Sequence, residues 1–159
     1  MAAGALWSAA VRIDQLMTGE VVSADGQESL AAVATLMRDR GVGSVVVLDD
    51  GRPVAIITDR DVAIAVAADG VGTDQPVRPY AAQPLVTGHS EMDVEEAAAA
   101  MVQNRVRRLP ILDGDESLVG IVTLDDLAVR AGDLEMAQHI TAQVAKAALP
   151  DYFFRQRGG

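Results

Sequence analysis

Residues 54–61 read VAIITDRD, and residues 119–126 read VGIVTLDD. In both stretches an apolar run ends in a threonine, and an aspartate follows that threonine three residues later. Short apolar runs rich in β-branched residues are typical of buried β-strands. Because the same pattern occurs twice, we infer that the chain contains an internal repeat.

The repeat extends well beyond these two stretches. A shift of 64 residues places Val22 on Val86 and Met37 on Met101, and one additional residue in a turn brings Asp61 onto Asp126. Within each copy, apolar periodicity predicts the order short strand, helix, strand, turn, strand, helix. The fold class is therefore α/β, with two β-α-β-β-α repeats at residues 12–74 and 75–131 and a C-terminal helix and tail at 132–159.

Local signals predict where these elements begin and end. In the first copy Ser29 caps a helix that Gly41 ends, and in the second copy Asp93 and Glu96 form a capping box. The remaining predicted elements are strands at 44–48, 54–58, 109–112 and 119–123, helices at about 60–68 and 125–131, and a helix at 134–149.

Composition and charge narrow the possible functions. The chain has 159 residues, a formal net charge of −10 and no cysteine. A phosphate backbone requires a basic surface, so we expect no nucleic-acid partner. Without cysteines there is no disulfide or thiolate site, and His89 and His139 lack the spacing of metal ligands. No apolar run is long enough to span a bilayer, and we expect a cytoplasmic protein with no membrane or metal site.

The two copies resemble the CBS domain family, which is named for cystathionine beta-synthase. The resemblance covers residues 12–131 and rests on the two repeated stretches quoted above, on GVGSVVV at 41–47 and on VRRLPI at 106–111. It implies a tandem CBS pair whose repeats are related by a pseudo-twofold axis. It also implies that clefts between the repeats bind adenosyl compounds such as AMP, ADP or ATP, and that the effector is no obligatory cofactor.

The resemblance implies a role for each candidate site residue. The aspartates hold the ribose hydroxyls, the threonines reach phosphate or ribose, and the arginines contact phosphate, while apolar residues on the first strand of each repeat line the adenine. The residues in question are Asp61 and Asp126, Thr58 and Thr123, Arg60, Arg107 and Arg108, and Val21, Val22, Leu85 and Val86.

The copies differ in ways that bear on binding. Arg60 in the first copy corresponds to Asp125 in the second, and a carboxylate there repels a polyphosphate. We therefore expect a phosphate-tolerant site at Asp61 and a weaker or more selective one at Asp126. In addition, the start of the second copy departs from the pattern: where the first copy has Leu16-Met17-Thr18, the second has Pro79-Tyr80-Ala81. We therefore expect the entrance of the second site to differ from that of the first.

Simpler roles compete with ligand binding. Aspartate caps helices well, a threonine at a strand end can bond to backbone, and the arginines can be solvated or paired with nearby carboxylates. The sequence shows no nucleophile elbow and no phosphate loop, so we expect no enzyme. Two functions stay open: a sensor of adenosyl ligands, including NAD or S-adenosylmethionine, that forms a homodimer and signals to an unknown protein partner, or an interaction module with degenerate clefts.

Overall fold

A computed structural model describes residues 11–130, 138 and 141–143. It confirms the α/β class, with two three-stranded sheets flanked by helices. The strands are β1 (Ser23–Asp25), β2 (Ser44–Asp49), β3 (Arg52–Thr58), β4 (Gly88–His89), β5 (Arg108–Leu112) and β6 (Leu118–Thr123). The helices are α1 (Leu30–Arg40), α2 (Asp59–Ala63), α3 (Val94–Asn104) and α4 (Leu124–Arg130). Most of the predicted helix 134–149 lies outside the described residues. The residues of this segment that the structure does describe, 138 and 141–143, are helical.

The first sheet has the strand order β1-β2-β3. β1 is parallel to β2, in a register that pairs Ser23 with Val46, and β2 is antiparallel to β3. Three consecutive residues of β2, Val45, Val46 and Val47, are buried, so this strand is covered on both faces. That burial explains why its sequence is a continuous apolar run and not an alternating one.

The second sheet repeats this order as β4-β5-β6, but its first strand is shorter. In the first sheet Val46 donates its backbone N–H to the carbonyl of Val22, 3.0 Å away. Its counterpart in the second repeat is Pro110, which has no N–H to donate. The pairing of β4 with β5 accordingly begins only at Gly88 and Ile111.

The helix caps follow the sequence prediction. The Ser29 hydroxyl accepts the N–H of Ala32, and Gly41 ends α1 with φ 63°. Asp93 and Glu96 form the predicted capping box at α3. This helix ends at Arg105, whose φ of 57° is also left-handed although Arg105 has a side chain.

Replacing Arg105 with glycine is expected to stabilise the protein by about 0.5–1 kcal/mol, because glycine avoids the steric cost of the left-handed region. The reciprocal change, Gly41→Arg, occupies the equivalent cap of α1 and is expected to destabilise by a similar amount. Urea unfolding of both variants measures the difference. A destabilised Arg105→Gly variant would show that the arginine side chain contributes more than its backbone conformation costs.

The segments that lead into the repeats pack in an unexpected way. The described chain divides into a repeat-1 unit, residues 20–86 and 113–119, and a repeat-2 unit, which includes residues 11–19, 87–112 and 120–130. Residues 11–19 precede β1 of the first repeat in sequence, yet Thr18 pairs with Ile121 on β6. Correspondingly, Ala82 precedes β4 of the second repeat and pairs with Ile56 on β3. Each lead-in segment therefore extends the sheet of the other repeat.

The linker 69–83, which runs from the last helix of the first repeat towards β4, is also part of the repeat-1 unit. The carbonyls of Gln75 and Thr73 accept the N–H groups of Leu30 and Ala31, which the first turn of α1 leaves without partners inside the helix. Val77 is fully buried and joins the core of this unit. The linker thus caps α1 and covers its base.

Each unit has an aliphatic core. Among the described residues, no polar or charged residue is buried. Met37 and Met101, which occupy equivalent positions in the two repeats, are core residues and are 5 % and 0 % exposed. The two cores hold the strand ends at which the candidate site residues lie.

Candidate functional site

The first candidate site lies where β3 meets α2. Thr58 caps the helix, and its backbone N–H and hydroxyl both donate to Oδ2 of Asp61, at 2.9 and 2.7 Å. The Asp61 N–H donates in return to the Thr58 hydroxyl oxygen at 3.2 Å. Both side chains are partly buried. The sequence spacing thus produces a reciprocal capping box, in which Thr58 fixes the orientation of the carboxylate.

The two carboxylate oxygens of Asp61 differ in their hydrogen bonds. Oδ2 accepts two hydrogen bonds from Thr58, whereas Oδ1 accepts none from any residue in the described part of the chain. A carboxylate oxygen has two acceptor positions, and hydroxyl groups are suitable donors. Oδ1 of Asp61 can therefore accept hydrogen bonds from a diol while the cap stays intact.

The second candidate site has the same geometry at the junction of β6 and α4. The N–H and the hydroxyl of Thr123 donate to Oδ2 of Asp126, both at 2.8 Å, and the Asp126 N–H donates to the threonine hydroxyl at 3.2 Å. Helix capping, the simpler role considered for these aspartates and threonines, is thus observed in both copies. In this cap the hydroxyl hydrogen of each threonine is donated to the aspartate three residues later, so the threonines position the aspartates.

The candidate arginines lie close to these helix starts. Arg60 is on the first turn of α2 and is exposed. Arg107 directly precedes β5, and its carbonyl accepts the N–H of Leu124 at 3.0 Å, which holds its backbone beside the start of α4. Arg108 begins β5 and is half-buried. Within residues 11–127, none of the three forms an ion pair with a carboxylate. Their charges are therefore available to a ligand.

The apolar candidates precede the strands on which they were expected. β1 begins at Ser23 and β4 at Gly88, so Val21, Val22, Leu85 and Val86 lie just upstream in extended or irregular backbone. All four are half-buried, as the walls of a binding site can be. The described contacts group Leu85 and Val86 with the repeat-1 unit, which contains Asp61.

The tertiary pairs also correct the alignment of the lead-in segments. Because Thr18 and Ala82 occupy equivalent positions on β6 and β3, Leu16-Met17-Thr18 corresponds to Tyr80-Ala81-Ala82, one residue later than the sequence comparison placed it. Tyr80 packs on the core of the repeat-1 unit. The sequence Tyr80-Ala81-Ala82, which departs from the pattern of the first copy, therefore lies in the unit of Asp61 and not in the unit of Asp126. The 64-residue shift that relates the repeats already places Thr18 on Ala82, so it predicts the corrected alignment.

Among the described residues, no group of three or more histidine or acidic side chains is arranged to hold a metal ion. No described helix has both the length and the apolar character needed to cross a bilayer.

Comparisons with known proteins agree with the fold. The CBS domain model matches residues 13–68 and again residues 77–132. A CBS domain-containing protein of Bacillus subtilis is 36 % identical over 125 residues, an alignment that spans 79 % of this chain and 89 % of that protein. An uncharacterised protein of Methanopyrus kandleri is also 36 % identical, over 74 % of this chain. The chain spans only 61 % of that relative's length.

Solved structures show the same architecture. The chain is similar to a CBS domain protein from Pyrobaculum aerophilum that was crystallised in complex with AMP. The TM-score is 0.71 at 24 % identity, and the match covers 83 % of this chain and 99 % of that one. At this identity the likeness supports the fold.

Proposed function

The chain belongs to the CBS domain family, and from this premise we propose that it is a regulatory module that binds an adenosyl compound and is not an enzyme. The ligand classes are AMP, ADP or ATP, with NAD and S-adenosylmethionine as further candidates. The binding residues are those predicted from the sequence, centred on Asp61 and Asp126. Binding shifts an equilibrium between conformations or between oligomeric states, and this shift is the signal.

The geometry of Asp61 carries this proposal. Thr58 holds the carboxylate by two hydrogen bonds to Oδ2 and leaves Oδ1 without a hydrogen bond from the described residues. A carboxylate oriented in this way is prepared to accept the hydroxyls of a ribose, because little rotamer freedom remains to be lost on binding. The AMP complex of the Pyrobaculum aerophilum protein supports an adenosyl ligand as the probe to use first.

The two sites differ in where their positive charge lies. In the repeat-1 unit Arg60 is on the same turn as Asp61, whereas in the repeat-2 unit the candidate cations are Arg107, which precedes β5, and Arg108, which begins it. Asp125 occupies the helix position equivalent to Arg60 and is exposed. A carboxylate at this position disfavours a polyphosphate. We therefore assign phosphate-bearing ligands to the Asp61 site and less charged adenosyl groups to the Asp126 site.

A second function is favoured by the capping boxes themselves. Each box gives its threonine and aspartate a structural role that requires no ligand. In this alternative the chain is a nucleotide-independent interaction module, and association with another protein or with a second copy is its entire function. Ligand binding distinguishes the two functions directly.

We propose that this module forms a homodimer and signals to a protein partner. A nucleic-acid partner is disfavoured, because a net charge of −10 is unfavourable for binding a phosphate backbone. We also propose a cytoplasmic location, where adenine nucleotides are available.

Isothermal titration with AMP, ADP, ATP, NAD and S-adenosylmethionine tests the proposed function. Inorganic phosphate and GMP serve as control ligands, because they share the anionic group but lack adenine. We expect micromolar binding of at least one adenosyl compound, corresponding to about 8 kcal/mol, and no heat from phosphate alone. If none of the five compounds binds, the interaction-module function replaces this proposal.

A further inference from the structure

A groove of about 440 Å³ lies on the repeat-1 unit, between the C-terminal half of α1, the loop 41–43 and the first turn of α2. A volume of this size is within the range of sites that hold small molecules. Most of the side chains that line it are apolar, and two of opposite charge complete the lining. The apolar side chains are those of Ala34, Met37, Val42 and Val62, and the charged ones are those of Arg38 and Asp59.

The repeat-2 unit has larger apolar residues at the equivalent positions of its second helix. Asp59 corresponds to Leu124 and Val62 corresponds to Leu127. Both leucines are buried, with exposed fractions of 3 % and 1 %. In the repeat-1 unit Asp59 is exposed, and Val62 is only half-buried. We attribute the groove to these two differences, because a carboxylate stays in water and a valine fills less space than a leucine.

Both charged residues of the groove are replaced by apolar residues in the second repeat, where Val102 stands at the position of Arg38. Among the described residues, Asp59 forms no ion pair, and its side chain accepts only the N–H of Arg60. Within the same part of the chain Arg38 pairs only with Asp39, and both are so exposed that this pair contributes little. The two charges at the groove are therefore available to a ligand.

We propose that this groove binds a free amino acid with an aliphatic side chain, such as leucine or methionine. The α-carboxylate of the amino acid pairs with the Arg38 guanidinium, and its ammonium group pairs with the Asp59 carboxylate. The aliphatic side chain lies on the apolar lining, where its contact with water is reduced. A ligand that lacks either charge leaves one of the two protein groups without a partner. The groove thus selects a zwitterion with an apolar side chain.

This groove is separate from the site proposed for adenosyl ligands. Asp59 is on the same turn as Asp61, but the Asp61 side chain forms the capping box with Thr58 and does not line the groove. The groove also takes much of its lining from α1, which contributes no residue to the predicted adenosyl site. Binding of an amino acid therefore does not depend on binding of an adenosyl compound.

An NMR titration of the isotope-labelled chain with L-leucine tests the proposal and locates the site. We expect saturable shifts of the amide signals of residues 34–43 and 59–62, with a dissociation constant below roughly 1 mM. 4-Methylpentanoate lacks the ammonium group of leucine, and 3-methylbutylamine lacks its carboxylate. Each of these two analogues should bind at least about 10-fold more weakly than leucine. The proposal is overturned if leucine, isoleucine, valine and methionine all fail to bind, or if either analogue binds as tightly as leucine.

Two variants give the groove the apolar residues of the second repeat. Arg38→Val and Asp59→Leu should each weaken leucine binding by at least about 10-fold, because each removes one charged contact. Arg40→Val is the matched control, since Arg40 is also an exposed arginine of α1 but pairs with Glu20 and does not line the groove. Normal binding by both groove variants contradicts the proposal. Asp61→Asn should keep leucine binding, and its loss would show that the groove is not a separate site.

Discussion

Replacing Asp61 with asparagine is expected to lower the affinity for AMP by about 10- to 100-fold and to leave the fold nearly as stable as before. The amide oxygen of asparagine can still accept the backbone N–H of Thr58, so most of the helix cap is kept. It carries no charge, however, and cannot accept both hydroxyls of a ribose while it serves the cap. A hydrogen bond to a charged group contributes about 1.5–3 kcal/mol, which accounts for the expected loss.

Isothermal titration with AMP and urea unfolding measure the two effects on the same preparation. Asp69→Asn is the matched control, because Asp69 is exposed in the same unit and the change removes the same charge. It should bind AMP as the wild type does. If Asp61→Asn also binds AMP normally, Asp61 is only a helix cap, and the AMP site lies elsewhere.

Replacing Gly120 with valine is expected to reduce the free energy of unfolding by about 2–3 kcal/mol. Gly120 is buried on β6, and a Cβ atom there would overlap Sδ of Met17 and lie 2.9 Å from its Cγ. Met17 cannot simply withdraw, because Thr18 exchanges two backbone hydrogen bonds with Ile121, each 2.9 Å long. The added volume therefore strains the contact between the lead-in segment and the sheet.

A double-mutant cycle with Met17→Ala identifies the cause. We expect Met17→Ala to recover part of the loss in the Gly120→Val background, so that the two effects are not additive. The repeat-1 unit already has small residues at the equivalent positions, Ala55 and Ala81, and both are buried. Gly114→Val is the control: Gly114 has no atom near its Cβ position, so the change should cost less than about 0.5 kcal/mol. Strictly additive effects would show that Met17 does not restrict position 120.

The sequence predicted those parts of the fold and of the candidate site that depend on short-range interactions. Ser29, Gly41 and Asp93 were predicted as caps and are caps, and Thr58 and Asp61 meet in the arrangement that their spacing allows. These contacts join residues within three or four positions of each other, so local backbone geometry is enough to form them. The continuous β-branched runs likewise identified the four longer strands.

By itself, then, the sequence determined a repeated α/β unit, its caps and the residues of two equivalent helix starts. Only the tertiary structure decided that Thr18 pairs with β6 and Ala82 with β3, and that Ile64 is exposed. The lead-in segments are short and lack a clear apolar period, so their register depends on contacts with residues far away in the chain. The exposure of Ile64 depends on which helix face the sheet covers, and that is settled only when the whole unit packs.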